Sequence, residues 1–164
     1  NYPYIAAIQD GRIIFYIDDK DRDNDPLRFY HQMNSRIFLL KLIPGMDASI
    51  LDALAPAYDG LIIESFGVGG LPDYGRKEFF SALKRWTEAG KPVCMATQVT
   101  HEGSDMGIYQ VGKIIKDLFP VLESYDMTPE ACVTKLMWAL GQTSEPEHCR
   151  KLFYTSINHD LLFV

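Results

Sequence analysis

The amino-acid sequence predicts a three-layer α/β domain: a parallel sheet of about four strands flanked by helices, preceded by a short β-hairpin. Three observations predict it. The apolar runs at 37–43, 60–66 and 92–97 are continuous rather than alternating, as in strands buried on both faces. Amphipathic stretches of helical period lie between them. Each run closes on Gly, Pro or a polar cluster, the punctuation of strand–helix connections.

Taking the elements in order, residues 4–9 and 12–17 are β-prone and are joined by Asp10 and Gly11. That pair fits a type I′ turn, in which both central residues need positive φ. An isolated two-stranded hairpin is marginal in water, so this one needs a larger sheet, a neighbouring domain or the domain that follows. Residues 18–26 form a charged stretch ending in Pro26, which reads as a linker. Its alternating aspartates fail as a calcium loop, because Asn24 occupies the sharp-turn glycine position and Tyr30 the bidentate glutamate position. The strand at 37–43 ends at Pro44 and Gly45, and Asp47 is placed to cap a helix through Leu54. The strand at 60–66 runs into Gly67, Val68, Gly69 and Gly70. A helix over 76–89 carries Phe79, Phe80, Leu83 and Trp86 on one face and stops at Gly90. The strand at 92–97 precedes a helix over 108–118 and a short apolar segment at Val121 and Leu122. Thr128 followed by Pro129 opens the next helix. Ser144 to Glu147 reads as a capping box for the last one.

Composition excludes several classes. The chain has 164 residues, 47% hydrophobic, 12% aromatic and 23% charged, which argues against disordered, collagenous and coiled-coil proteins. Its formal charge is −6 with Lys and Arg scattered, so no nucleic-acid partner is expected. The apolar runs are too short and too interrupted to span a bilayer as a helix, so no membrane partner is expected either. Cys94, Cys132 and Cys149 make an odd set without CxxC spacing, which points to free thiols and a cytoplasmic location. No signal-peptide pattern opens the chain. Its first residue is Asn1 rather than Met, so the chain is expected to begin partway through a longer protein.

In open parallel sheets, ligands bind beyond the carboxyl ends of the strands. Three loops leave strand ends here, at 44–47, 64–72 and 97–105, and they should meet on one rim. The individual candidates are less specific. The glycines at 67, 69 and 70 lack the spacing of a phosphate loop and fit a tight turn that admits another backbone. Ser65 lacks the GxSxG setting of a hydrolase nucleophile. His101, Glu102, Ser104 and Asp105 match a triad in composition but are too close in sequence to face one another, and fit a polar substrate-contact or interface loop. His31, His101, His148 and His159 have no metal-ligand spacing, so neither a metal nor a cofactor is expected.

The strings make a resemblance. Residues 91–112 resemble the C-terminal domain of bacterial type I, cytoplasmic L-asparaginases. So do residues 42–46, the Gly-rich segment 58–72 and the helix entry 126–136, in order and at matching intervals. The resemblance implies two α/β domains joined by a linker. Residues 1–17 would end the N-terminal domain, 18–35 would be the linker, and 36–164 would be the C-terminal domain, of the flavodoxin-like kind. It implies hydrolysis of L-asparagine to aspartate and ammonia by a threonine in the N-terminal domain. No catalytic residue is expected in this chain, which alone should be inactive.

What the resemblance assigns to the C-terminal domain is a homodimer or homotetramer interface and contacts to substrate across it. A carboxylate, Glu102 or Asp105, would hold the substrate ammonium. Gly70 stands where many relatives carry a substrate-contacting Asn. Glu64 and Val99 stand where the best-known type I pattern has Arg and Cys, tied to allosteric asparagine binding. Two other readings share the fold: a non-catalytic ligand- or partner-binding module, and an amidotransferase component built on the same domains.

Overall fold

The computed structural model describes residues 4–16, 26–72, 78–100, 103–108, 110–157 and 160–161. A parallel sheet carries the fold. Its strands are β3 (Ile37–Lys41), β4 (Gly60–Ser65), β5 (Val93–Thr97) and β6 (Leu122–Glu123), in the order β3-β4-β5-β6. Leu61, Ile62 and Ile63 of β4 and Val93, Cys94 and Met95 of β5 are fully buried, because both faces of the sheet are covered.

The consecutive strand order decides where the helices go. Right-handed crossovers between neighbouring parallel strands all return over one face. Accordingly α1 (Ser49–Leu54), α2 (Glu78–Glu88) and α3 (Gln110–Leu118) share one core with Leu61, Ile63, Val93 and Met95. That core contains Leu51, Leu83, Trp86 and Ile115, and the Trp86 indole N–H donates to Leu51 O at 2.9 Å. The chain beyond β6 must cover the other face. It does so with α4 (Pro129–Gln142) and α5 (Pro146–Phe153), whose Cys132, Leu136, Cys149 and Phe153 pack on Ile62, Cys94 and Ala96. Each such fully buried aliphatic or aromatic side chain contributes about 1.5–3 kcal/mol. All three cysteines are free thiols, with Cys94 and Cys132 in contact at 3.4 Å and burial raising the Cys94 thiol well above its ordinary pKa.

The helix starts follow the sequence with two corrections: α1 begins after Ala48 without a side-chain cap, so Asp47 does not cap it, and the cap of α5 moves by one residue. Thr128 caps α4, its side chain accepting the Ala131 N–H at 3.0 Å ahead of Pro129. Replacing it with Ala should lower stability by about 1 kcal/mol in urea unfolding, and an unchanged midpoint would refute the cap. Asp47 accepts the Ser49 N–H at 2.8 Å, just ahead of α1. The expected Ser144 cap of α5 is replaced by Glu145, whose carboxylate accepts the N–H groups of Glu147 and His148. An ionised acceptor directly before Pro146 satisfies two free donors and suits the positive end of the helix.

The hairpin forms as its turn residues dictate. β1 (Ala6–Gln9) pairs antiparallel with β2 (Arg12–Phe15) around Asp10 at φ 49° and Gly11 at φ 73°. It makes a separate two-stranded sheet, and its apolar side chains stay uncovered, with Ile8 79% and Phe15 68% exposed. Residues 26–36, by contrast, run against α4. The Asn34 N–H donates to Met137 O at 2.9 Å, Gln142 Nε2 donates to Gln32 O at 2.8 Å, and the Tyr30 ring meets Trp138 edge-on. Among the described residues, no helix is long and apolar enough to cross a membrane.

Candidate functional site

Because β3 to β6 are parallel, their carboxyl ends share one edge of the sheet. The polar side chains that follow the strands lace this edge together. Gln98, just past β5, donates from Nε2 to Leu42 O at 2.8 Å and to Glu64 O at 2.9 Å. One amide therefore bridges the ends of three strands. The Thr97 hydroxyl donates to Gly67 O and accepts the Val99 N–H at 3.0 Å. Ser65 is fully buried and donates to Ala96 O at 2.6 Å, a structural contact rather than a nucleophile's setting.

The glycine loop is the tight turn its composition predicts. Phe66 and Gly70 exchange both backbone hydrogen bonds, at 3.1 and 2.8 Å, closing residues 67–69 into a knot. Gly69 has φ 145°, and a Cβ there would lie 2.9 Å from Met106 Cγ. The turn thus admits the segment after β5 to close contact, and the Asp105 N–H donates to Val68 O at 2.9 Å. The rim brings the Gly70 loop and the Asp105 segment together.

Asp105 is exposed, and its Oδ1 accepts the Gly107 N–H at 2.8 Å. Ser104, by contrast, is buried, with its hydroxyl 3.1 Å from that of Ser124. The triad-like composition around it therefore carries no exposed serine. Glu102 and His101 lie outside the described residues. Glu64 is half-buried at the end of β4, with Lys41 Nζ 3.9 Å away. Val99 lies in the chain that leaves β5.

Two rim residues escaped the sequence reading. Gln98 follows the strand-end Thr97, and a polar residue at that register was its only signal. Glu123 ends β6, where the sequence shows only a short apolar segment. Its carboxylate is buried, accepting the Met106 N–H at 2.6 Å and a bond from Lys116 Nζ at 3.0 Å. The bond to Glu123 raises the pKa of Lys116, against a smaller opposing effect of burial. Glu64 and Glu123 at this edge each face a lysine, Lys41 and Lys116, whereas Asp105 is exposed. An exposed carboxylate of this kind suits a cationic group.

Crevices in open α/β sheets form where the strand order reverses. Among the described residues, this sheet has no reversal. A cavity of about 50 Å³ lies between Pro92, Pro120 and Pro146, near the edge where the strands begin.

A sheet of this order with this glycine loop defines an α/β domain whose strand-end edge carries an exposed carboxylate, Asp105. The chain belongs to the glutaminase/asparaginase C-terminal domain family, whose sequence pattern matches residues 36–153. It is 35% identical over 157 residues to an L-asparaginase of Thermococcus kodakarensis, covering 96% of this chain and 47% of that protein. It is 34% identical over 141 residues to one of the subunits of glutamyl-tRNA(Gln) amidotransferase from Metallosphaera sedula, covering 85% of this chain and 31% of that one.

Solved structures agree. The thermostable L-asparaginase from Thermococcus kodakarensis superposes with TM-score 0.83 at 34% identity, covering all of this chain and 49% of that one. L-asparaginase I from Vibrio cholerae gives TM-score 0.81 at 23% identity over 49% of its length, a likeness of fold. The chain therefore spans about half the length of these asparaginases and about a third of the amidotransferase relative.

Proposed function

We propose that this chain is the C-terminal domain of a cytoplasmic L-asparaginase, of the bacterial type I class that its motifs resemble. In this reading a threonine in an N-terminal domain attacks the side-chain amide of asparagine and releases aspartate and ammonia. The C-terminal domain forms the dimer interface and supplies a carboxylate, Asp105 or Glu102, to the substrate ammonium of the neighbouring subunit. Holding the ammonium fixes the amide relative to the nucleophile, which converts binding into orientation. Gly70 contributes backbone to the same edge and no side chain.

The observation that carries the reading is the exposed Asp105 carboxylate beside the glycine loop, at the strand-end edge of a domain of this family. Asp105 and the glycine loop lie at an edge that, among the described residues, has no switch-point reversal, and a second surface would make a pocket of it. The exposed apolar hairpin supports it, since β1 and β2 present the side chains of a sheet continued elsewhere. The linker's attachment to α4 would set where that other domain leaves the rim.

A second reading is favoured by the relatives, several of which are components of glutamyl-tRNA(Gln) amidotransferases at 28–34% identity. One experiment separates the two. The full-length protein is assayed for ammonia release from asparagine and glutamine, and for amidation of glutamyl-tRNA(Gln). Release from free asparagine, together with none from this chain alone, is the expected result. A full-length protein that is inert toward both amino acids but active in amidation would overturn the asparaginase reading.

A further inference from the structure

Asp105 is held by its neighbours rather than by its own side chain's reach. Three consecutive backbone donors around it end on three different parts of the fold. The Ser104 N–H donates to Tyr125 O at 2.8 Å, and the Asp105 N–H to Val68 O at 2.9 Å. The Met106 N–H donates to Glu123 Oε1 at 2.6 Å. Only the last of these ends on a side chain.

That side chain is unusual for its place. Glu123 is 2% exposed at the end of an edge strand. Burying a carboxylate there is costly unless every acceptor is used. Its oxygens are divided between two elements: Oε1 serves the backbone of the rim segment, and Oε2 accepts Lys116 Nζ of α3 at 3.0 Å. The edge of β6 is secured independently, because the Glu123 N–H donates to the Tyr154 hydroxyl at 2.8 Å. The carboxylate is therefore not needed to finish the strand. Its distinct effect is a side-chain oxygen that holds the backbone of the residue after Asp105.

Met106 is the right residue to grip. It is buried, it lies under Gly69, and its carbonyl faces Gly112 of α3 so closely that a Cβ there would lie 2.6 Å away. A change in the Met106 backbone therefore moves the Asp105 carboxylate, whose Oδ1 is already turned back on Gly107.

We propose that Glu123 is a positioning residue: through Met106 it sets the direction in which Asp105 meets the ammonium group of an amino-acid substrate. The inference rests on the rim reading given above, and it selects Asp105 as the carboxylate through which Glu123 acts.

The test uses the full-length protein. Glu123→Met and Glu123→Ala both remove the acceptor, so that a folding failure of one leaves the other. Glu123→Gln keeps an oxygen for the Met106 N–H while removing the negative charge that faces Lys116. Removal should raise KM for asparagine roughly tenfold, with kcat within about threefold, the split expected when ground-state binding is lost. Glu123→Gln should restore KM to within about twofold of wild type. In an Asp105→Asn background, removal of Glu123 should add less than about twofold, because the two act in series.

Amide exchange at Met106 supplies a readout independent of substrate. It should accelerate in the removal variants and not in Glu123→Gln. Unchanged KM in an active enzyme, multiplicative effects with Asp105→Asn, or unchanged Met106 exchange would each overturn the proposal. A wild-type protein inert toward amino-acid amides would instead sink the reading of the rim, a result that the exchange data distinguish.

Discussion

Replacing Asp160 with Ala should destabilise the fold by about 3 kcal/mol, whereas replacing its partner Lys135 with Met should cost about 1 kcal/mol or less. Lys135 rises from α4 with its side chain only 3% exposed, and its ammonium donates to Asp160 Oδ2 at 2.6 Å and Thr155 O at 2.7 Å. Removing the carboxylate leaves a buried charge with one neutral acceptor. Removing the lysine leaves Asp160, 27% exposed, free to return to water, and puts an apolar side chain at a buried position of α4. Asp160 also holds the Ile157 N–H at 2.7 Å, so its loss releases the chain that crosses back over α4. Paired urea unfolding curves measure the difference. Equal losses in the two variants would show that the pair is worth its Coulomb attraction and nothing more.

Gly112→Ala should reverse the usual sign of a glycine-to-alanine change in a helix. At an exposed helical site it would gain about 1 kcal/mol. Here the added Cβ would lie 2.6 Å from Met106 O and 3.0 Å from Met106 Cα, atoms of the backbone that cannot rotate aside. The expected net effect is a loss of about 1–2 kcal/mol, in the range of overpacked sites. The Met106 N–H should exchange faster at the same time, because the displaced segment stretches its bond to Glu123. A stabilised variant with normal exchange at residues 104–106 would show that α3 and the rim shift independently.

Much of this architecture is legible in the order of residues. Continuous apolar runs mark three strands; β4 and β5 are buried as such runs predict, whereas β3 lies at the sheet edge and leaves Leu39 and Lys41 exposed. Asp10 and Gly11 mark the hairpin, because few other pairs tolerate positive φ twice in succession. Thr128 and Pro129 mark the start of α4. The α5 cap is misread because both Ser144 and Glu145 can accept from free N–H groups, and only the path of the chain decides which one faces them. The fourth strand is reduced to an apolar segment, since two residues are too few for a pattern.

The candidate site divides the same way. The sequence locates the three strand-end loops and puts Gly70 and Asp105 among them, because chain direction in a parallel sheet places every carboxyl end on one edge. It also carries the family resemblance, which is a matter of residue order. It does not show that Gln98 ties three strand ends together or that Glu123 reaches across to Met106. Those contacts join residues 17 to 56 positions apart. They depend on the β3-β4-β5-β6 order and on the depth at which the last strand ends. Local preferences fix which segments become strands, helices and turns. Only the packed sheet decides which polar side chains are shut away from water and must therefore find one another.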